Sequence, residues 1–222
     1  MSTIAAPRFA LSKMRRKLRE RFEQIRSMPL ERRLVGSDEY QFTTNWGKPF
    51  LANWSRYLSE FKGKENVHML EIGSFEGRSA LWFLANILTH QSSTLTCVDP
   101  FFRRPREIRF DHNMKCSGWQ HKVTKIKARS DHVVYKLARQ SFDIIYIDGD
   151  HRAKGVLIDA VASWLCLKPG GVMIFDDYKW EPEKPASDRP QMAIDMFLAS
   201  FPDQIELLHQ DYQVIVRKRG KP

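Results

Sequence analysis

From residue 67 onward the chain alternates short apolar runs with segments of helical period, and this rhythm restricts the fold more than any other feature. "VHMLEI" (67–72), "TLTCVD" (94–99), "KVTKIKA" (122–128), "FDIIYID" (142–148) and "GVMIFD" (171–176) read as strands. Near-continuous apolar strands are buried on both faces, the signature of a parallel sheet covered by helices on both sides. Helical spacing falls in "GRSALWFLANIL" (77–88), "DHVVYKLAR" (131–139), "AKGVLIDAVASWLC" (153–166) and "PQMAIDMFLASF" (190–201). "QIELLHQDYQVIVRK" (204–218) reads as two strands joined by a polar turn, an antiparallel hairpin on one sheet edge. The expectation is an α/β domain over residues 41–222, a doubly wound seven-stranded sheet, mostly parallel, with an antiparallel C-terminal hairpin strand.

Residues 1–40 form a separate basic arm. Its first 33 residues hold ten basic and three acidic side chains, a net +7 of the chain's +10. Met14, Leu18, Phe22, Ile25 and Met28 recur at helical spacing in an otherwise cationic segment, and Pro29 ends it. Such a helix suits docking on its own domain, a homodimer contact, or peripheral attachment to an anionic membrane. No apolar run reaches the ~18 residues of a membrane span. The start of the sequence lacks the apolar core of a secretory signal. Three scattered cysteines, Cys97, Cys116 and Cys166, fit neither a disulfide framework nor a zinc site, so a reducing, cytoplasmic setting is expected.

In open parallel sheets, ligands bind at the carboxyl ends of the strands. The polar residues at those ends are therefore the candidates. "LEIGSFEGRS" (70–79) passes from a strand through Gly73 into a helix, but lacks the G-x-G-x-x-G of a dinucleotide site. Asp99 ends the second strand, where a carboxylate suits the vicinal hydroxyls of a ribose; capping the next helix is the plainer alternative. "IIYIDGDH" (144–151) drives Asp148, Asp150 and His151 into the end of the most apolar strand, and "FDDY" puts Asp176 and Asp177 at the end of the next.

The blocks "LEIGSFEGRS", "CVDPF", "FDIIYIDGDH", "LKPGGVMIFDDY" and "PQMAIDMFLASF", in this order, resemble the class I S-adenosylmethionine-dependent methyltransferases. The likeness is greatest to the small family with IDG-x-H and DDY blocks, related to Mg²⁺-dependent sugar and small-molecule O-methyltransferases. It spans roughly residues 42–217 and implies a Rossmann-like fold. It also implies cofactor contacts at Gly73, Ser74 and Phe75, with Glu71 ordering that loop, Asp99 at the ribose and Ser130 by the adenine. Asp148 would lie at the cofactor as well. Asp148, Asp176 and Asp177 would converge as three like charges, which raise one another's pKa unless a hard cation such as Mg²⁺ joins them. His151, or alternatively Asp150, would act as the base on an acceptor hydroxyl.

These features point to an O-methyltransferase acting on a sugar, glycan or other polar small molecule. Two other readings stand beside it. One is an RNA methyltransferase, disfavoured because the basic excess sits mainly in the arm. The other is a non-catalytic module of the same fold using its arm as an adaptor. Arg103, Arg104, Arg106 and Arg109, in "PFFRRPREIRF", read as a solvated loop that would suit an acidic acceptor.

Overall fold

The computed structural model describes residues 40–45 and 50–220. The helix expected through Met14, Leu18, Phe22, Ile25 and Met28, and with it every role suggested for the arm, lies outside the described residues. The strands are β1 (His68–Ile72), β2 (Thr94–Asp99), β3 (Val123–Lys127), β4 (Phe142–Ile147), β5 (Leu167–Phe175), β6 (Ile205–Gln210) and β7 (Val214–Lys218). They form one sheet in the order β3-β2-β1-β4-β5-β7-β6. Ladders among β1 to β5 are parallel, and β7 runs antiparallel to both its neighbours, β5 and β6. This is the expected Rossmann-like sheet, with β7 in the interior and β6 at the edge.

The helices are α1 (Leu51–Tyr57), α2 (Arg78–Asn86), α3 (Arg104–Ser117), the single turn α4 (Ser130–Val133), α5 (Ala153–Trp164) and α6 (Pro190–Ser200). The two-residue period of a strand sends alternate side chains to opposite faces. In β4, Ile144 and Tyr146 enter the core shared with α1, α2 and α3, while Ile145 and Ile147 enter the core shared with α5 and α6. Each such burial stabilises by roughly 1.5–3 kcal/mol. Trp54 of α1 fills the first core against Trp82, Phe83 and Tyr146, so this aromatic of the segment before the sheet is a packing residue.

Two sequence expectations change. "PFFRRPREIRF" is not a loop: α3 begins at Arg104 with a proline in its first turn and ends at Gly118 in a left-handed cap. Only Phe110, Asn113 and Met114 of its residues are buried, which is why no apolar stripe announced it. Conversely, the helix expected over 131–139 shrinks to α4 and one 3-10 turn, Val134–Lys136.

Candidate active site

Register brings the candidate residues together. Ile72 of β1 pairs with Val98 of β2 and with Ile147 of β4, and Ile147 pairs with Phe175 of β5. Gly73, Asp148 and Asp176, each one residue beyond its strand, therefore stand side by side, with Asp99 at the end of β2. Their amides continue the ladder: Gly73 N–H donates to Val98 O at 2.9 Å, Asp148 N–H to Ile72 O at 2.8 Å, and Asp176 N–H to Ile147 O at 3.0 Å.

Gly73 is fixed as glycine by geometry. Its φ is +89°, and a Cβ would lie 2.0 Å from the carbonyl oxygen of Asp148. Beyond it the loop 73–77 turns through Phe75, whose φ of +48° carries a strain of about 1–3 kcal/mol for a non-glycine residue. Asp99 holds that shape. One of its oxygens accepts the N–H groups of Ser74 (3.0 Å) and Phe75 (2.9 Å), and the other accepts Phe101 N–H at 2.6 Å. Glu71 is fully buried, accepts the Ser79 hydroxyl at 2.5 Å, and is pushed up to about 7 by burial. Ser74 is buried beside it, and its hydroxyl makes no well-formed hydrogen bond. Gly77 makes room for α3, since a Cβ there would lie 2.6 Å from Met114. Ser130 opens α4 and hydrogen-bonds the buried Asp159, whose carboxyl burial pushes up to about 6. Arg129 is paired with Asp131 at 2.7 Å.

The β4–β5 end is a dense acidic group. Asp148 is pushed well above the ordinary carboxylate range by burial, then by repulsion from Asp176 and Asp177. Asp176 is raised as well, by burial first and by Asp177 second. Tyr146 explains how two carboxyls tolerate this proximity. Burying its ring favours folding, but a stranded hydroxyl would cost about 1–3 kcal/mol. The hydroxyl instead donates to the carboxyl groups of Asp176 and, at 3.2 Å, Asp148. The other Asp176 oxygen accepts Asp177 N–H (2.9 Å) and the Gln213 side-chain amide (3.2 Å).

His151 reaches this group from the loop after β4. Its Nδ1 lies 2.9 Å from Asp177 Oδ2, while Asp177 Oδ1 accepts the Tyr212 hydroxyl at 3.0 Å. The Asp177 contact raises the imidazole pKa against the opposing effect of burial. Its ring lies 4.9 Å from that of Trp180. Asp150 turns elsewhere and is held by Arg152 through N–H, Nε and Nη2 at 2.8–3.1 Å. Burial works to raise the Asp150 pKa, but the Arg152 contacts outweigh it and the net shift is downward. Among the described residues, one potential ligand atom each from Asp148, His151 and Asp177 lies within 4.8 Å of the others. Asp176, the third carboxylate expected of a cation site, directs its oxygens to Tyr146, Gln213 and the Asp177 amide.

Residues 70–178, which hold nearly all of these groups, match a family model described as a methyltransferase domain. Over those residues the chain is similar to the methyltransferase domains that this model describes. Protein R132 of Acanthamoeba polyphaga mimivirus is 29% identical over 128 residues, covering 54% of this chain and 57% of that protein. The chain spans about half the length of the curated relatives it matches. Among solved structures, the O-methyltransferase TomG of Streptomyces achromogenes, involved in tomaymycin synthesis and bound to S-adenosylmethionine, superposes with a TM-score of 0.59. It is 18% identical, with 99% of this chain and 93% of TomG covered. MycE, a methyltransferase of the mycinamycin pathway in complex with Mg, S-adenosylhomocysteine and mycinamycin VI, gives a TM-score of 0.57 at 18% identity. There 82% of this chain and 53% of MycE are covered. At these identities the structural likeness is one of fold.

Within this candidate site, four residues escaped the sequence reading: Tyr146, Tyr212, Gln213 and Glu76. Tyr146 was hidden inside an apolar strand, yet its inward partners were predictable once Asp148 was placed two residues further on. Tyr212 and Gln213 belong to the hairpin turn, and nothing local marks them. Glu76 is the loop's only acidic residue, and its partners lie 33 residues away.

Proposed function

We propose that this protein transfers the methyl group of S-adenosylmethionine to a hydroxyl oxygen of a polar small molecule, a sugar or glycan being the favoured class, with Mg²⁺ at the β4–β5 carboxylates. The observation that carries the reading is the convergence of Asp148, His151 and Asp177 beside the cofactor loop. The donor set fits a hard divalent cation: two carboxylates at the ends of neighbouring strands, with Asp148 repelled by Asp176 and Asp177. Asp148 and Asp177 would hold the ion, and Asp176 would fix both through Tyr146 and its own contact with the Asp177 amide. Bound Mg²⁺ supplies positive charge that lowers the acceptor's pKa, and S-adenosylmethionine supplies an electrophilic methyl carbon.

The remaining chemistry belongs to the chain. Asp177 accepting from His151 Nδ1–H leaves Nε2 as the basic nitrogen, so the acceptor's proton moves to Nε2 as its oxygen attacks. Asp150, held as an ion pair by Arg152, is a poorer base on geometry and on charge. Trp180 lies beside His151 with the Lys184 ammonium 4.5 Å from its ring centre, so a sugar ring would stack on that face only by displacing Lys184. In support, MycE, similar in fold to this chain, is seen in complex with Mg and mycinamycin VI.

Calorimetric titration with S-adenosylmethionine, in Mg²⁺ and then in EDTA, tests the reading. Cofactor heat in both media, with a separate Mg²⁺ heat lost in Asp148→Ala, is the expected result. Cofactor heat without any Mg²⁺ heat removes the cation from the proposal, and absence of cofactor heat overturns the enzyme assignment.

A further inference from the structure

The loop 73–77 is fastened from two sides, and only one of them involves groups that a cofactor would contact. On the outer side stands Glu76, with 1% of its side chain exposed. A carboxylate buried so fully needs its oxygens partnered. One accepts Thr43 N–H at 2.6 Å, and the other accepts the Thr43 hydroxyl at 2.9 Å and Arg109 Nη1 at 3.2 Å. The Glu76 backbone is held as well. Asn113 of α3, itself fully buried, donates to Glu76 O at 2.8 Å and pairs with the Gln41 backbone in both directions, at 2.7 and 2.9 Å. Residues 40–45, the loop and α3 are thereby locked together.

On the inner side the fastener is Asp99, through Ser74 N–H and Phe75 N–H. Here two roles conflict. A ribose hydroxyl that bonds Asp99 Oδ2 must share that oxygen with the Ser74 and Phe75 amides, while Oδ1 is engaged by Phe101 N–H. A loop with positive φ at Phe75 and Gly77 and a single internal backbone bond, Gly77 N–H to Ser74 O at 2.7 Å, would relax if Asp99 alone shaped it. Glu76 and Asn113 act from outside that competition.

We propose that Glu76, Thr43 and Asn113 form a latch through which the strap at residues 40–45 holds the cofactor loop in its binding shape while Asp99 turns to the ribose. Glu76 is thus a positioning residue, and this role rests on the cofactor assignment above. Arg109 belongs to the latch rather than to acceptor recognition, the role its sequence context suggested.

The test uses the full chain with Thr43→Val and Glu76→Gln. Valine removes the hydroxyl contact and leaves the amide one. Glutamine turns one acceptor into a donor that faces Thr43 or Arg109. S-adenosylmethionine affinity is measured by calorimetry, hydrogen exchange at the Ser74 and Phe75 amides by NMR, and global stability by thermal melting. The expected result is weaker binding, about threefold for Thr43→Val and about tenfold for Glu76→Gln. Exchange at both amides should be faster, with melting unchanged in Thr43→Val. Unchanged affinity and exchange in Thr43→Val overturn the latch, even if Glu76→Gln fails to fold. Should the unaltered protein bind no S-adenosylmethionine, the cofactor reading falls. The exchange data then decide the latch alone: faster exchange keeps it, unchanged exchange overturns it.

Discussion

At the β1–β2 end of the site, Asp99 accepts hydrogen bonds from three backbone N–H groups. At the β4–β5 end, two strand spacings further along the sheet, Asp148, Asp176 and Asp177 face one another with a single phenol between two of them. Both ends use acidic side chains at strand termini, yet their carboxylates are held in different ways. Backbone amides neutralise the first end in place and leave it a shaped acceptor for hydroxyls. The second is left short of positive charge, and folding tolerates this through protonation and the Tyr146 bridge. The repulsion among its carboxylates is what the proposed cation would relieve.

Substitutions can break this contrast. The largest effect is expected from Asp177→Asn, which disorients His151 and removes a cation ligand. Turnover should fall by about 10²–10⁴-fold, while calorimetry shows cofactor affinity retained. Asp99→Ala should do the reverse, weakening S-adenosylmethionine by roughly 10²-fold through the loss of charge-assisted hydrogen bonds. If both variants impair the same step, the two ends are not separate sites.

Tyr146→Phe sharpens the comparison at the acidic end alone. Two crowded carboxyls lose their shared donor, and stability should drop by about 1–3 kcal/mol in urea unfolding. Added Mg²⁺ should recover more of that loss than it adds to the unaltered protein. The acidic end also has a pH signature. Asp176 titrates at about 6 in the folded state, raised by burial first, against about 4 when unfolded. Between those values the folded protein holds more protons than the unfolded chain, so stability falls as pH rises through the window. Asp176→Asn should flatten this decline in melting curves recorded in EDTA. His151 adds a decline at higher pH. Its pKa is raised by Asp177, so the pair's contribution is complete below about 6.5 and disappears as pH rises through the folded value. The smallest effect is expected at Arg103 and Arg104, exposed and distant from the latch contacts. Arg103→Ser and Arg104→Ser should leave stability within about 0.5 kcal/mol.

Much of the architecture was legible because it rests on local patterns. The apolar runs located β1, β2, β3 and β4 to within one or two residues, and the glycine and carboxylates at their ends followed from where such sheets bind ligands. α3 was not legible, since a helix burying only three residues leaves almost no stripe to read. In the site, the positions of Asp99, Asp148, Asp176, Asp177 and His151 were readable, but not their contacts. That Asp99 is bonded to the loop, that Asp150 is drawn off by Arg152, and that Asp176 turns to Tyr146 and Gln213 are consequences of side-chain direction after packing. Glu76 shows the limit most clearly: its partners Thr43 and Arg109 are joined to it only by tertiary structure.

The place of β7 has a consequence for the order in which the protein is made. It is the last strand described, yet it lies between β5 and β6, and the turn that precedes it carries Tyr212 and Gln213. Gln213 also accepts the indole N–H of Trp54 at 3.1 Å, tying the earliest described helix to the latest strand. While synthesis has reached only β6, β5 offers a bare edge and the acidic group lacks two of its hydrogen-bond partners. The nascent chain can therefore assemble its β1–β2 end well before its β4–β5 end, and the acidic group acquires its full set of contacts only when β7 inserts.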